Sequence, residues 1–375
     1  MEPDLFPSAE VTPEATRQSP AGAPPRGRGT GANPSSRFAE WSRTASDDGW
    51  HENRPEAPAT QVFVDSAKTV ISHNDAPDLP FDQSLNPYRG CEHGCIYCYA
   101  RPSHAYLGHS PGLDFETLIY HKPDAARLLK KELTRPGYRC RPLALGTNTD
   151  AWQPVERRLQ LTREVIKVLH ALKHPLMLIT KSTLVERDID LLSAMAREQL
   201  VHAAISLTTL DGELARRLEP RAAAPHARLE TIRRLAAAGI PVSVMVSPVI
   251  PGLTDHELEK VLIAAREAGA VGASYSVLRL PHELRALFEH WLAWHAPEKA
   301  ARVMAILYDL RGGGRMEKGG IEQRMHGLGH FADLLAQRFA LHQRRLNYPG
   351  MPPLDCSRFA APAGKPDNGA QLGLF

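Results

Sequence analysis

Eight residues, Cys91-Glu92-His93-Gly94-Cys95-Ile96-Tyr97-Cys98, carry three thiols at Cys-x3-Cys-x2-Cys spacing. Thiols this close form a metal-ligand pattern rather than a packing pattern. Thiolate is a soft ligand that suits zinc, copper(I) and iron–sulfur iron. Structural zinc takes four protein ligands, and a cubic iron–sulfur cluster commonly takes four thiolates. With only three, a cube keeps one iron open, and an open iron can bind a substrate or a cofactor. Gly94 favours a loop, whose backbone lets three sulfurs converge on one object. Two blander readings stand beside this one. A zinc site could be completed by His93, His104 or His109, or the thiols could be small buried hydrophobes. The missing fourth thiol weighs for iron–sulfur over zinc.

The rest of the chain must present that loop. At 375 residues it has room for one large α/β domain plus tails. A net charge of +3 is too small to argue by itself for nucleic acid or a membrane. Five cysteines, three of them clustered, are no disulfide framework and fit a reducing compartment. No apolar run is long enough to span a bilayer, and the N-terminus lacks an apolar signal core. These features predict a cytoplasmic protein with no membrane partner.

Short extended pieces are expected at Val62–Val64 and Thr69–Ile71, and a first barrel strand running into Asn86–Gly90 and delivering the cysteine loop. Apolar strands follow at Pro142–Gly146, Leu176–Thr180, Val201–Leu207, Val242–Val246 and Val271–Leu278. Between them, apolar residues recur at helical spacing, as in Leu161, Val165, Val168 and Leu172. Thr183-x-x-Glu186 and Thr254-x-x-Glu257 read as capping boxes, and Gly239 with Pro241 as a helix stop. About six strand–helix units argue for a parallel sheet with helices outside. In such barrels the chemistry sits at the carboxyl ends of the strands, where the cysteine loop falls. The fold class is therefore α/β, a partial (β/α)6 TIM-like barrel. The expected organisation is a disordered tail over 1–60, the barrel over 61–282, a helical C-terminal extension over 283–348 and a tail over 349–375. Leu287, Trp291 and Trp294 are expected to pack the extension. The tail composition, rich in Pro, Gly, Ser and Arg, has too little apolar content to fold alone. Its Pro24–Gly29 stretch is a small basic patch.

The triad, with Tyr97 just before its last cysteine, resembles the cluster loop of the radical S-adenosylmethionine (SAM) superfamily. The flanks Asn86-Pro87-Tyr88-Arg89-Gly90 and Tyr99-Ala100-Arg101-Pro102 are similar to its DNA repair photolyase branch, which includes spore photoproduct lyase. The resemblance covers roughly Val62 to Leu346. It implies an enzyme with one [4Fe–4S] cluster on Cys91, Cys95 and Cys98 and with SAM on the fourth iron. Reductive cleavage of SAM would give a 5′-deoxyadenosyl radical that takes hydrogen from a substrate, with a flavodoxin or ferredoxin as electron donor. Nucleic acid is the leading substrate class, from the branch resemblance and from the excess of basic residues between Arg311 and Arg345. The competing class is a non-enzymatic zinc or iron–sulfur binding protein.

The resemblance also implies SAM contacts. Gly146-Thr147-Asn148-Thr149-Asp150 is similar to the segment at the methionine amino group, with Thr147, Thr149 and Asp150 as candidates. As an ordinary turn, the same stretch would be capped by Thr149 or Asp150. Lys181 is a candidate for the methionine carboxylate, Ser206 or Thr208 for the ribose, and Arg221 of Glu219-Pro220-Arg221 for the carboxylate or substrate. Gly252 of Val249-Ile250-Pro251-Gly252 would let the backbone approach adenine, with Tyr97 beside it. Bland readings of these are a solvated lysine, a surface ion pair and a helix entry. No catalytic residue is assigned. Spore photoproduct lyase carries a hydrogen-donating cysteine at the exit of its second strand. Thr147 stands there in this chain, and Cys140 and Cys356 read as inert thiols.

Overall fold

A computed structural model of the chain describes residues 24–38, 59–313 and 324–360. Its strands are β1 (Gln61–Val64), β2 (Ile71–His73), β3 (Gln83–Leu85), β4 (Tyr88–Arg89), β5 (Leu118–His121), β6 (Leu143–Leu145), β7 (Leu176–Thr180), β8 (Val201–Ser206), β9 (Val242–Val249) and β10 (Gly272–Val277). The main sheet has the order β10-β9-β8-β7-β6-β3-β2. Every pair in it is parallel except β2, which runs antiparallel to β3 at one edge. Six parallel strands in an open sheet match the expected partial barrel.

The sheet has two unlike faces, because successive side chains point to opposite sides. On one, Leu176, Leu178, Val201, Ala203, Ile205, Val242 and Val244 are buried, in one apolar cluster with Val165, Leu192, Ile232 and Val261 of the helices. Burying each large aliphatic side chain is worth roughly 1.5–3 kcal/mol. The other face carries Met177, Ile179, His202, Ala204, Ser243 and Met245, all half-buried. Register pairs Met177 with His202 and Ala204 with Ser243, so this smaller, more polar row lines the inside of the open barrel.

Several local expectations need correction. The first barrel strand stops at Leu85, because Pro87 offers no N–H to continue the ladder. Tyr88–Arg89 instead pairs with β5, which also pairs with β1, in a separate small sheet. Neither proposed capping box forms. Ser182 caps the first by accepting from the Leu184 N–H at 3.2 Å, while Glu186 turns to the Thr231 hydroxyl at 2.6 Å. Thr254 accepts from the Ile250 N–H at 2.8 Å, and Glu257 accepts from the Leu210 N–H at 3.1 Å. Each region is a short 3-10 turn before its α-helix begins, at Ile189 and at Leu258. Of the expected packing residues, Leu287 and Trp291 are buried, whereas Trp294 is 55% exposed.

The first and last described segments both touch the body. Within the N-terminal stretch, Arg28 and Thr30 are buried, and the Ala32 carbonyl accepts from the Leu113 N–H at 3.1 Å. The tail expectation for residues 1–23 and 39–58 lies outside the described residues. At the other end, residues 350–360 run across the base of the main sheet. Gly350 N–H donates to Val271 O at 2.8 Å, Asp355 N–H to Gln199 O at 2.9 Å and Ala360 N–H to Leu172 O at 3.0 Å. Each acceptor lies just before a strand. No described helix is long and apolar enough to cross a membrane.

Candidate metal centre

The cysteine loop lies over the carboxyl ends of β6, β7 and β8. Asp150 beyond β6 has its backbone N–H on the Cys91 thiol, Lys181 beyond β7 acts electrostatically on Cys95, and Thr208 beyond β8 bonds Tyr97. The loop is a chain of tight turns. Gly94 N–H donates to Cys91 O at 3.3 Å, Cys98 N–H to Cys95 O at 3.2 Å and Arg101 N–H to Cys98 O at 3.1 Å. Gly94 sits at φ 67°, a left-handed turn that suits glycine. Cys91 and Cys95 are buried, and Cys98 is partly exposed.

A buried guanidinium holds this shape. Arg101, fully buried, donates to Cys95 O at 2.9 Å, to Gly94 O at 3.0 Å and to the Glu116 carboxylate at 2.6 Å. It reaches Gly112 O at 2.9 Å as well. Glu116 in turn accepts the Gly29 N–H at 3.0 Å, and Arg28 donates to Glu116 O at 3.0 Å. The N-terminal stretch is thus clasped onto the back of the loop. A Cβ on Gly29 would stand 1.9 Å from Gly94 O, so only glycine permits the approach. On the far side Gln153 accepts the Glu92 N–H at 2.9 Å and donates to Gly90 O at 3.1 Å.

The loop is flanked by charge. Lys181 places its ammonium 5.7 Å from the centre of the Tyr97 ring. Glu219 accepts from the Tyr97 hydroxyl, from Arg228 and, at 2.8 Å, from Thr208. Burial alone would raise the Glu219 carboxyl, but Arg228, Lys181 and these donors hold it at about 2. Asp150 likewise stays at about 2 against its burial, beside His93 at 3.3 Å and under donors from Lys181 N–H and Thr180. The thiols go the other way. Burial and neighbouring negative groups push Cys91 well up and Cys95 up to about 12.

Desolvated thiols resist ionisation until a metal supplies the opposing charge, which deprotonates a coordinating thiol outright. Three sulfurs on one turn-rich loop, an amide N–H on one sulfur and a cation beside another fit an iron–sulfur cluster, whose sulfurs are tuned by such groups. Among the described residues no three His, Cys, Asp or Glu side chains are gathered tightly enough for one ion; a cube spreads its ligands more widely. Each histidine considered as a fourth ligand already uses a ring nitrogen: His93 on Asp150, His104 on Leu118 O at 2.9 Å and His109 on the Tyr120 hydroxyl at 2.6 Å.

The residues singled out from sequence separate into groups. Tyr97, Lys181 and Asp150 stand with the cysteines. Asp150 has every contact of a turn cap, since it also accepts from the Trp152 N–H at 2.9 Å. Thr149 turns its hydroxyl to Tyr88 O at 2.9 Å, and Thr147 O accepts from Tyr99. Ser206 donates to Ser247 O at 3.2 Å. Arg221 pairs with Glu92 at 3.1 Å, and its N–H donates to His93 O at 3.2 Å. Gly252, at φ 74°, donates to Asp255 at 2.6 Å. Sequence reasoning missed Glu116, Gln153, Arg228 and Gly29. It met Arg101 only as a flanking residue. The available signal was chemical, because an arginine three positions past a metal-ligand cysteine is well placed to bind loop carbonyls.

The family model of the radical SAM superfamily matches residues 85–264. An uncharacterized protein of Mycobacterium tuberculosis is 43% identical over 244 residues, covering 64% of this chain and 71% of that one. A radical SAM Nα-GlyT isomerase of Pseudomonas phage M6 is 27% identical over 173 residues, 46% of this chain and 34% of that one. Among solved structures, a point variant of spore photoproduct lyase aligns over 77% of this chain and 79% of its own, at TM-score 0.49 and 15% identity. With the family model on residues 85–264 and the 43% identical relative covered over 71% of its length, the chain belongs to the radical SAM superfamily of enzymes.

Proposed function

We propose that the chain holds a [4Fe–4S] cluster on Cys91, Cys95 and Cys98 and acts on an anionic substrate, with nucleic acid the leading class. Bound there with SAM, the cluster supplies reductive cleavage of the S–C5′ bond, and hence a radical able to abstract hydrogen; this chemistry is the cofactor's own. The protein's part is positioning. Arg101 fixes two loop carbonyls, the Asp150 N–H meets the Cys91 sulfur, and Lys181 offsets thiolate charge. In this reading Lys181 and Arg221 receive the methionine carboxylate, and the polar ends of β6 and β8, with Thr147, Thr149 and Ser206, border SAM. The observation that carries the proposal is the three-cysteine loop, with Cys91 and Cys95 buried, over the carboxyl ends of β6–β8.

The substrate class rests on charge. Arg279, beyond β10, lies near Arg324 and Tyr99, and burial with Arg324 lowers its pKa. Arg311 lies alongside, donating to Leu278 O at 2.9 Å. Asp78, on Arg324, is the carboxylate that acts on Arg279. Partly buried arginines that repel one another suit an arriving phosphate. A flavodoxin or ferredoxin in the cytoplasm supplies the electron. The test is anaerobic reconstitution followed by dithionite and SAM. The expected product is 5′-deoxyadenosine, lost in Cys95→Ala together with iron. A colourless protein loaded with zinc would overturn the reading. Damaged DNA oligonucleotides with labelled SAM test the substrate, and absence of turnover would point to protein or RNA.

A further inference from the structure

The remaining two cysteines lie at the opposite end of the sheet, on segments far apart in sequence. Cys140 precedes β6, and Cys356 opens a short turn, Cys356–Arg358, in the strap that crosses the base. The strap is pinned on both sides of Cys356. Asp355 N–H bonds Gln199 O at 2.9 Å on one side, and Ala360 N–H bonds Leu172 O at 3.0 Å on the other. Phe359 sets its ring 5.5 Å from Tyr138, two residues before Cys140, and 5.3 Å from His174. These anchors bring the Cys140 and Cys356 side chains within hydrogen-bonding reach of each other. Both are partly exposed, and the triad cysteines lie beyond the other end of β6.

We propose that Cys140 and Cys356 are a redox-active dithiol whose disulfide fastens the C-terminal strap across the base of the barrel. The oxidant is a low-molecular-weight disulfide such as oxidised glutathione. One protein thiolate attacks it, forming a mixed disulfide and expelling one glutathione thiolate. The second protein thiolate attacks that mixed disulfide, closing the Cys140–Cys356 bond and expelling the other. Two protein thiols lose two electrons and two protons, and oxidised glutathione becomes two thiols. Burial and the adjacent sulfur push Cys140 up to about 12, so the exchange is slow near neutrality and quickens as pH rises. The closed bond removes freedom from a long loop of the unfolded chain.

The test is non-reducing peptide mapping of the anaerobically reconstituted holoprotein after incubation with oxidised glutathione. The expected result is a cross-linked peptide pair containing Cys140 and Cys356. Reduction with dithiothreitol should reverse it, and Cys356→Ser should abolish it. The oxidised protein should melt roughly 5 °C or more above its reduced form, a gap absent in Cys356→Ser. Separate glutathionylation of the two cysteines, or continued alkylation of both after oxidation, would overturn the proposal. So would a cross-link with no change in melting, since the strap would then not be fastened.

Discussion

The two ends of the main sheet are built from opposite materials. At the carboxyl end the buried groups are polar: Arg101 pairs with Glu116 and Arg228 with Glu219, and Asp150 lies against His93. At the base, and over the helical layer, the buried groups are mostly apolar, and Phe359 of the strap packs on Tyr138 and the buried His174. Buried ion pairs are poor sources of stability, because desolvation consumes most of what pairing returns. Apolar burial is the reliable source. The difference teaches that the loop end is held for geometry and that the rest of the molecule carries its cost.

The sharpest way to break that contrast is Arg101→Met. It should strip the loop carbonyls and take the guanidinium from the buried Glu116 carboxyl, destabilising by about 3–5 kcal/mol, and iron content should collapse. Denaturant unfolding and iron analysis check both. Leu192→Ala, in the apolar layer, should cost about 2–5 kcal/mol while the surviving folded protein keeps its full iron content. If both variants lost iron equally, the division of labour would be wrong.

A milder test uses one histidine in each region. Burial lowers His104, near the loop, and His174, at the base, each to about 4. A histidine lowered on folding favours the native state above its unfolded value near 6.5, and that advantage is lost as pH falls toward 4. The apoprotein should lose at most about 3 kcal/mol per histidine over that window, and His174→Gln should make the slope shallower. An unchanged slope would remove His174 from the account. The smallest effect is expected for Gly29→Ala. The new methyl group must push the clasp off Gly94, so bound iron should bleach several-fold faster in air while melting shifts little. Equal bleaching would mean that the clasp shields nothing.

How much was legible beforehand follows the same divide. The cysteine spacing and the apolar runs of β7, β8 and β9 are local signals, and both survive in the structure. Leu85 ending its strand before Pro87 was also local, but the pairing of Tyr88–Arg89 with β5 is decided some thirty residues away and leaves no periodic trace. The failed boxes show that a favourable spacing loses to a better tertiary partner, as Glu186 finds in Thr231. Trp294 has the period of a core residue and faces outward. Glu116, Gln153 and Gly29 were invisible because single polar contacts across long separations have no composition or period. Residues 24–38 illustrate this most plainly, since a segment too polar to fold alone is held by Arg28 on the Glu116 carbonyl and by the Gly29 N–H on the Glu116 carboxylate, on a surface formed elsewhere.

The central claim is an iron left open by a three-cysteine loop. Electron paramagnetic resonance of the anaerobically reconstituted, dithionite-reduced protein, recorded with and without SAM, addresses it most directly. The account predicts a [4Fe–4S]+ signal whose g-values shift when SAM is added and which disappears in Cys98→Ala. A signal indifferent to SAM would mean that all four irons are already taken by side chains, and would contradict it.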